Sequence, residues 1–408
     1  MSKQLKALIL GISVVVVVFA VTGGLLNVSA TTNEGAYRQL GVFSEVLSRI
    51  QSEYVEEPNI TTVTSGALHG LLESLDANSS YLTPEEYKVL RAANGDYKGT
   101  IGASISKRFG YAVVVSVLPG SPAERAGMQG GDIIESIENE TTREMSLASV
   151  KQKLAGAVGS NVTLTMVRPR RADPQKLTIT LDSVSVPAAT EKMLESGIGY
   201  VRVEALPKGK AQEIAQKIKA LQNQGAKKLV LDLRDVSEGD VSEGIALADL
   251  FLERGTITYL QGQKYARENF TAQPDQVAKG PVVVLVNRGT AGAAEVTAAA
   301  ILENARGDVV GDRTFGNGSV QKTIEIADGS AVILSVAKYY SPSGKAIQDV
   351  AVTPNIRVAD AADAIADVED GGEEAAEPTA DEEYQRERQR IMQEQLRRAI
   401  EVLKTRNA

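Results

Sequence analysis

The chain of 408 residues contains no cysteine and a single histidine. The first absence excludes disulfides, thiolate metal sites and a cysteine nucleophile. The second excludes a metal site built on several histidines, and leaves His69 as the sole base available to a Ser-His-Asp triad. That residue sits in Ser65-Gly66-Ala67-Leu68-His69-Gly70-Leu71-Leu72, a helical apolar stretch where packing is the expected role. A hydrolase built on this chain therefore needs another base, and no cofactor is expected. An excess of basic residues is missing too: 44 Lys and Arg stand against 52 Asp and Glu, a net charge of -8. Residues 359–383 hold eleven acids and no base, so the remainder sums to +3 and offers no dominant basic face for nucleic acid.

At 43% hydrophobic and 24% charged the chain is long enough for two or three domains with real cores. Lys3 and Lys6 precede a stretch without charge over residues 7–26, and Val28-Ser29-Ala30 follows as a small-residue cleavage site. Residues 1–30 read as a signal peptide or an uncleaved signal anchor in the membrane. Either places the body outside the cytoplasm, in the cell envelope facing the periplasm or secreted. From Glu34 the pattern becomes that of an amphipathic helix, with Leu40, Phe43, Val46, Leu47, Ile50 and Tyr54 recurring at spacings of mostly three and four. Further helices are expected around 64–75 and from Pro84, where Thr83 is placed to cap. Residues 31–95 thus form a helical N-terminal cap.

Strands and glycines follow. Gly99-Thr100-Ile101-Gly102-Ala103-Ser104-Ile105 leads to Ala112-Val113-Val114-Val115-Ser116-Val117-Leu118, and then to Gly130-Gly131-Asp132-Ile133-Ile134. A helix over 146–154 and an alternating strand over 161–168 complete a segment, 96–186, that resembles a PDZ domain. In such a domain backbone N–H groups of a glycine-containing loop converge on a carboxylate, while the adjoining strand edge pairs with an extended peptide. Thr100, Ile101, Gly102 and Ala103 would form that loop, and Val150 and Leu154, four apart on the helix, would line the pocket for the last side chain of the peptide.

From Gly197 strands and helices alternate as in α/β folds. Buried strands are expected at 229–234 and 282–287, with 309–311 and 331–336 completing a sheet. Residues 359–383 read as a solvated acidic linker, and 384–408 as a helix whose Ile391, Leu396, Ile400 and Leu403 dock on the body or on a second subunit.

The order of parts resembles the C-terminal processing peptidases of serine peptidase family S41. Matching stretches include Ser74-Leu75-Asp76-Ala77-Asn78-Ser79-Ser80-Tyr81-Leu82, Leu231-Asp232-Leu233-Arg234, Gly318-Ser319-Val320-Gln321 and Ala337-Lys338-Tyr339-Tyr340-Ser341-Pro342-Ser343-Gly344. The resemblance implies a multidomain chain: an α/β core of ClpP/crotonase-like type over 187–358, an inserted PDZ-like domain, and helical terminal segments. It also implies a Ser-Lys dyad, one variant of the Ser-His-Asp logic. Yet Gly289-Thr290-Ala291-Gly292-Ala293-Ala294-Glu295 puts Gly292 at the nucleophile position, and Phe315-Gly316-Asn317-Gly318 puts Asn317 at that of the base. Glycine cannot attack a carbonyl and an amide cannot take a proton from serine. In place of a glycine-rich oxyanion turn stands Arg234-Asp235-Val236-Ser237-Glu238-Gly239, where an inward Glu238 would repel a developing oxyanion. Gln321 and Ala293 retain family positions. The expectation is a proteolytically inactive homologue that binds the C-termini of envelope proteins, alone, as a homo-oligomer or beside an active relative. The alternative is an active enzyme with a displaced dyad, drawing on Thr290, Ser319 and Lys322.

Overall fold

The computed structural model describes residues 34–93, 98–168, 173–358 and 380–406. The N-terminal apolar segment lies outside the described residues, as does most of the acidic linker. Among the described residues no helix is long and apolar enough to cross a membrane. The described residues divide into two compact units, 34–67 and 68–406.

In the first unit, helix α1 (Glu34–Glu53) carries Arg49 one turn from both Glu45 and Glu53. Helix α2 (Ile60–Glu73) starts where the Asn59 side chain accepts the Thr62 N–H at 3.1 Å, and its end belongs to the second unit. There Asp76 gathers the N–H groups of Asn78 and Ser79, both at 2.8 Å, and turns the chain into strand β1 (Ser80–Leu82). Thr83 and Glu86 then form a reciprocal cap, each side chain accepting the other's N–H, that starts helix α3 (Pro84–Ala93). His69 packs edge-on against Tyr81, the role its apolar context implies.

The PDZ-like domain contains strands β2 (Gly99–Thr100), β3 (Ala103–Arg108), β4 (Tyr111–Val117), β5 (Ile133–Ile137) and β6 (Glu140–Thr141). Helix α4 (Leu147–Lys153) and strands β7 (Ala155–Gly156), β8 (Asn161–Val167) and β9 (Gln175–Thr180) follow. Ser146 caps α4, its hydroxyl accepting the Ser149 N–H. The sheet runs β3-β4-β5-β8-β9 with β6 on β5, while β2 pairs with β7. Strand β3 is consequently an edge. Period-two burial of Val162, Leu164 and Met166 on β8 turns one face of this sheet into the domain's core.

In the core domain, strands β10 (Thr190–Met193) and β11 (Ile198–Arg202), helix α5 (Lys210–Asn223), strand β12 (Lys228–Asp232) and helix α6 (Val241–Asp249) come first. Then follow β13 (Thr256–Gln261), β14 (Glu268–Thr271), β15 (Val282–Val286), helix α7 (Ala293–Glu303) and β16 (Gly307–Gly311). Strands β17 (Ser319–Glu325), β18 (Ala331–Tyr340) and β19 (Ile356–Arg357) and helix α8 (Ala380–Thr405) complete the chain. One six-stranded sheet runs β10-β11-β12-β15-β16-β19, parallel except at β10. Its central strands β12 and β15 are near-continuous apolar runs because both faces are covered. Val201, Leu231 and Val284 meet residues of α5, α6 and α7, whereas Tyr200, Val230 and Leu285 meet Ala399 and Leu403 of α8. The C-terminal helix thus docks on the body.

The strand at 331–336 does not complete that sheet. It forms part of β18, which lies in a second sheet between β1, β13 and β17. An apolar run does not name its neighbour; here a hairpin at Asp328-Gly329 folds β18 back on β17, with Gly329 at φ 87° and the Ile326 N–H bonded to the Ser330 carbonyl at 2.8 Å.

Candidate active site and peptide groove

The C-terminal end of β15 leads through a tight turn into α7. Asn287 organises it: its Oδ1 accepts the N–H groups of Asp235 and Gly289 at 2.9 and 3.1 Å, and its Nδ2 donates to Asp235 Oδ1 at 2.9 Å. Gly292 ends the turn at φ 62°, ψ −118°, a backbone region that side-chain-bearing residues rarely occupy. Space is not the reason for glycine there. The nearest atom a Cβ would meet is the Asn317 carbonyl oxygen, 3.9 Å away. A side chain at 292 would thus point toward residue 317, so the fold brings together the two positions that the sequence aligned with a dyad.

Glu295 holds them there. Fully buried, it accepts the N–H groups of Gly292 and Asn317 on Oε2, and the Gly316 N–H and the Thr314 hydroxyl on Oε1. Burial pushes its carboxyl up to about 6, against the pull of those four hydrogen bonds. The sequence carries a local signal for this role, since an acid three residues past a helix cap is a capping signal and Glu295 stands three past Gly292. A close approach seats α7: a Cβ on Gly244 of α6 would lie 2.2 Å from the Ala293 carbonyl oxygen, and Thr297 donates to the Gly244 carbonyl at 2.8 Å.

Beneath the turn lies a buried charge network. Burial would raise the Asp232 carboxyl, but Arg234 and Arg202 outweigh it and hold it far below the usual carboxylate range. Tyr200 donates to Asp232 at 2.7 Å, and its own phenol is pushed up by burial and by that carboxylate. Arg234 extends to α8, donating to the Met392 carbonyl at 2.8 Å and to Gln395 Oε1 at 3.1 Å. A cavity of about 690 Å³ opens between β4 of the PDZ-like domain and this region, with Val113, Asp235, Gly289, Phe315 and Arg388 on its walls. Arg108 crosses it, 4.3 Å from the Phe315 ring centre and 3.2 Å from the Phe315 carbonyl. Burial lowers its pKa, helped by Arg313 and Arg288.

In the PDZ-like domain Thr100 Oγ1 accepts the Gly102 N–H at 3.3 Å. Gly102 sits at φ 74°, and a Cβ on it would lie 2.4 Å from Ser121 Cβ, so only glycine fits. Half-buried Ala103 opens the edge strand beside this loop. The apolar wall differs from expectation. Ile101, Val150 and Leu154 are enclosed in the domain's own core. Positions 147, 150 and 154 share the helix face that packs on the sheet, so the spacing of four that suggested a ligand pocket marks the core-facing stripe.

Residues 197–358 match the model of peptidase family S41, and residues 113–168 that of the PDZ domain. A carboxy-terminal-processing protease of Bartonella bacilliformis is 32% identical over 84% of this chain and 82% of its own length. The chain belongs to peptidase family S41. Carboxy-terminal processing protease CtpA of Bacillus subtilis is 30% identical over 88% of this S41 chain and 78% of its own. The solved photosystem II D1 C-terminal processing protease superposes with a TM-score of 0.65 at 27% identity, covering 78% of this chain and 92% of that one.

The other family positions of this S41 chain can be placed on that frame. Ala293 is the first residue of α7, where a helix leaves its N–H without an intrahelical partner. Glu238 is exposed, and the backbone around it is held by the Leu206 N–H bonding its carbonyl at 2.8 Å; the inward carboxylate does not occur. Ser237 instead bonds the Ser116 hydroxyl of the PDZ-like domain. Gln321 lies exposed on β17 and donates to Ser319 Oγ at 2.7 Å, which also accepts from Asn78 at 3.0 Å. Thr290 is fully buried, its hydroxyl donating to the Leu233 carbonyl at 2.8 Å and accepting the Asn287 N–H at 3.0 Å. Lys322 is exposed on β17. Among the described residues no hydrogen bond joins Thr290, Ser319 and Lys322 to one another.

Proposed function

We infer that this S41 chain is proteolytically inactive and binds protein C-termini through its PDZ-like domain, as an exported, envelope-facing scaffold or regulator. The observation that carries the reading is the pairing of Gly292 with Asn317. The elbow conformation, the Glu295 staple and the facing loop are all kept, while neither facing position carries a nucleophile or a base. Loss of a serine nucleophile from a comparable machine costs roughly 10⁶ in kcat. The neighbouring hydroxyl at Thr290 is spent on the backbone, which weighs against a displaced dyad. For binding, support comes from the free edge of β3 beginning next to the Thr100-to-Ala103 loop. Export rests on residues 1–30 alone.

The test incubates the full chain, beside a Gly292→Ser, Asn317→Lys double variant, with an unfolded protein bearing an apolar C-terminus, and follows cleavage and binding. Binding without cleavage is expected of the unmodified chain, and cleavage of the double variant. Cleavage by the unmodified chain would overturn the inactive assignment.

A further inference from the structure

Lys107 is an unusual residue for the peptide-accepting edge strand of a PDZ-like domain, because its ammonium is buried. It shares with Ile105 the face of β3 that turns inward, and the whole residue is 7% exposed. Its Nζ donates to the Met145 carbonyl, just ahead of α4, at 2.6 Å, and to the Glu73 carboxylate at the end of α2. An ammonium has three protons to give, and a buried one left without acceptors is costly. Two acceptors are present.

Antiparallel pairing converts position along β3 into position along a ligand. Opposite residues run in opposite directions, so each step forward on β3 is a step upstream from the C-terminus of the ligand. A terminal carboxylate held at the Thr100-to-Ala103 loop sets the last ligand residue beside Ala103. Lys107 then faces the fourth residue before the last. Side chains directly opposite share a face and stand about 4.5–5.5 Å apart at Cβ, within reach of a carboxylate.

We propose that Lys107 is a specificity-determining residue that selects protein C-termini with an acidic residue four positions before the end. This rests on the C-terminus-binding reading above and names the ligand class for it. Glu73, only partly exposed, stands on the same ammonium as an internal counterpart of the ligand's acid. The third Lys107 proton goes to the incoming carboxylate. A basic residue there would instead bring like charge to a buried cation.

The test measures binding of the full chain to three fluorescent ten-residue peptides that share an apolar C-terminus and carry Glu, Ala or Lys at the fourth position from the last. The Glu peptide is expected to bind about ten- to a hundredfold more tightly than the Ala peptide, as a charge-assisted hydrogen bond supplies, with the Lys peptide weakest. Lys107→Met should abolish the preference for the Glu peptide, since the Glu73 carboxylate left there favours the Lys peptide, and Glu73→Gln, which frees the ammonium, should widen the gap. Equal affinities for the Glu and Ala peptides in the unmodified chain overturn the proposal and leave C-terminus binding standing. Binding of none of the peptides removes both. Should Lys107→Met fail to fold, Glu73→Gln decides alone: a wider gap supports the selection, and an unchanged gap sinks it.

Discussion

The backbone N–H groups of Gly292 and Asn317 converge on a single atom, Oε2 of Glu295, at 2.9 and 2.8 Å. One buried carboxylate therefore fixes the spacing of two loops that come from different strands, and does so through backbone alone. The side chains at 292 and 317 play no part in their own placement.

Substitution at the elbow should cost stability through φ and not through crowding. Gly292→Ala introduces a Cβ with open space around it, at φ 62°. The expected loss is about 1–3 kcal/mol, read from urea unfolding, and Gly292→Ser should match it. A neutral result for both would mean that the turn relaxes to an ordinary backbone conformation.

Glu295 predicts a specific pH dependence. Unfolded, its carboxyl titrates near 4.5; folded, near 6. Between these values the native state keeps a proton that the unfolded chain has released. Its contribution is therefore full below about 4.5 and is lost as pH rises through about 6, a change of about 2 kcal/mol. Glu295→Gln should lower stability at every pH, since an amide cannot accept all four donors, and should abolish this decline. Parallel pH profiles of the two proteins between 4.5 and 7.5 would refute the assignment.

Asp232 works in the opposite direction. Its carboxyl is depressed, so its contribution is present above the ordinary carboxylate pKa and is lost as pH falls toward its folded value. Asp232→Asn leaves Arg234 and Arg202 short of their counter-charge. We expect a loss of about 3–5 kcal/mol at neutral pH, together with faster amide exchange in α8 around Met392, where Arg234 is bonded.

Thr290→Val separates a structural hydroxyl from a nucleophilic one. The variant strands the Asn287 N–H and takes one of two donors from the Leu233 carbonyl, which keeps the Val236 N–H, so a stability loss of about 1–3 kcal/mol is expected, with C-terminal peptide binding unchanged. Any cleavage by the unmodified chain that disappears in this variant would identify Thr290 as the nucleophile.

Legibility in the sequence followed physical locality. The parallel strands read clearly because runs such as Val282 to Val286 are buried on both faces, and α3 read clearly because Thr83 and Glu86 carry their cap within four residues. Gly292 and Asn317 could be assigned from local motifs; that they face each other is a property of Glu295, twenty-two residues from Asn317 in the chain. β18 was misplaced because an apolar strand specifies burial and leaves its partner to the turn before it. Val150 and Leu154 carry a related ambiguity: a helical stripe has the same spacing whether it meets a ligand or its own sheet, and here both side chains pack in the core of the domain. Lys107 gave no signal at all, since a lysine in a strand is ordinarily solvated, and its acceptors at Glu73 and Met145 are distant in sequence.

The backbone at Gly292 has one more consequence. In an enzyme, a serine held at positive φ stores strain that is tolerated because the reaction needs its hydroxyl aimed outward. Glycine occupies that conformation without penalty. At φ 62° the elbow of this chain therefore carries none of the backbone strain that a side-chain-bearing residue would store there, and the turn into α7 folds without that cost.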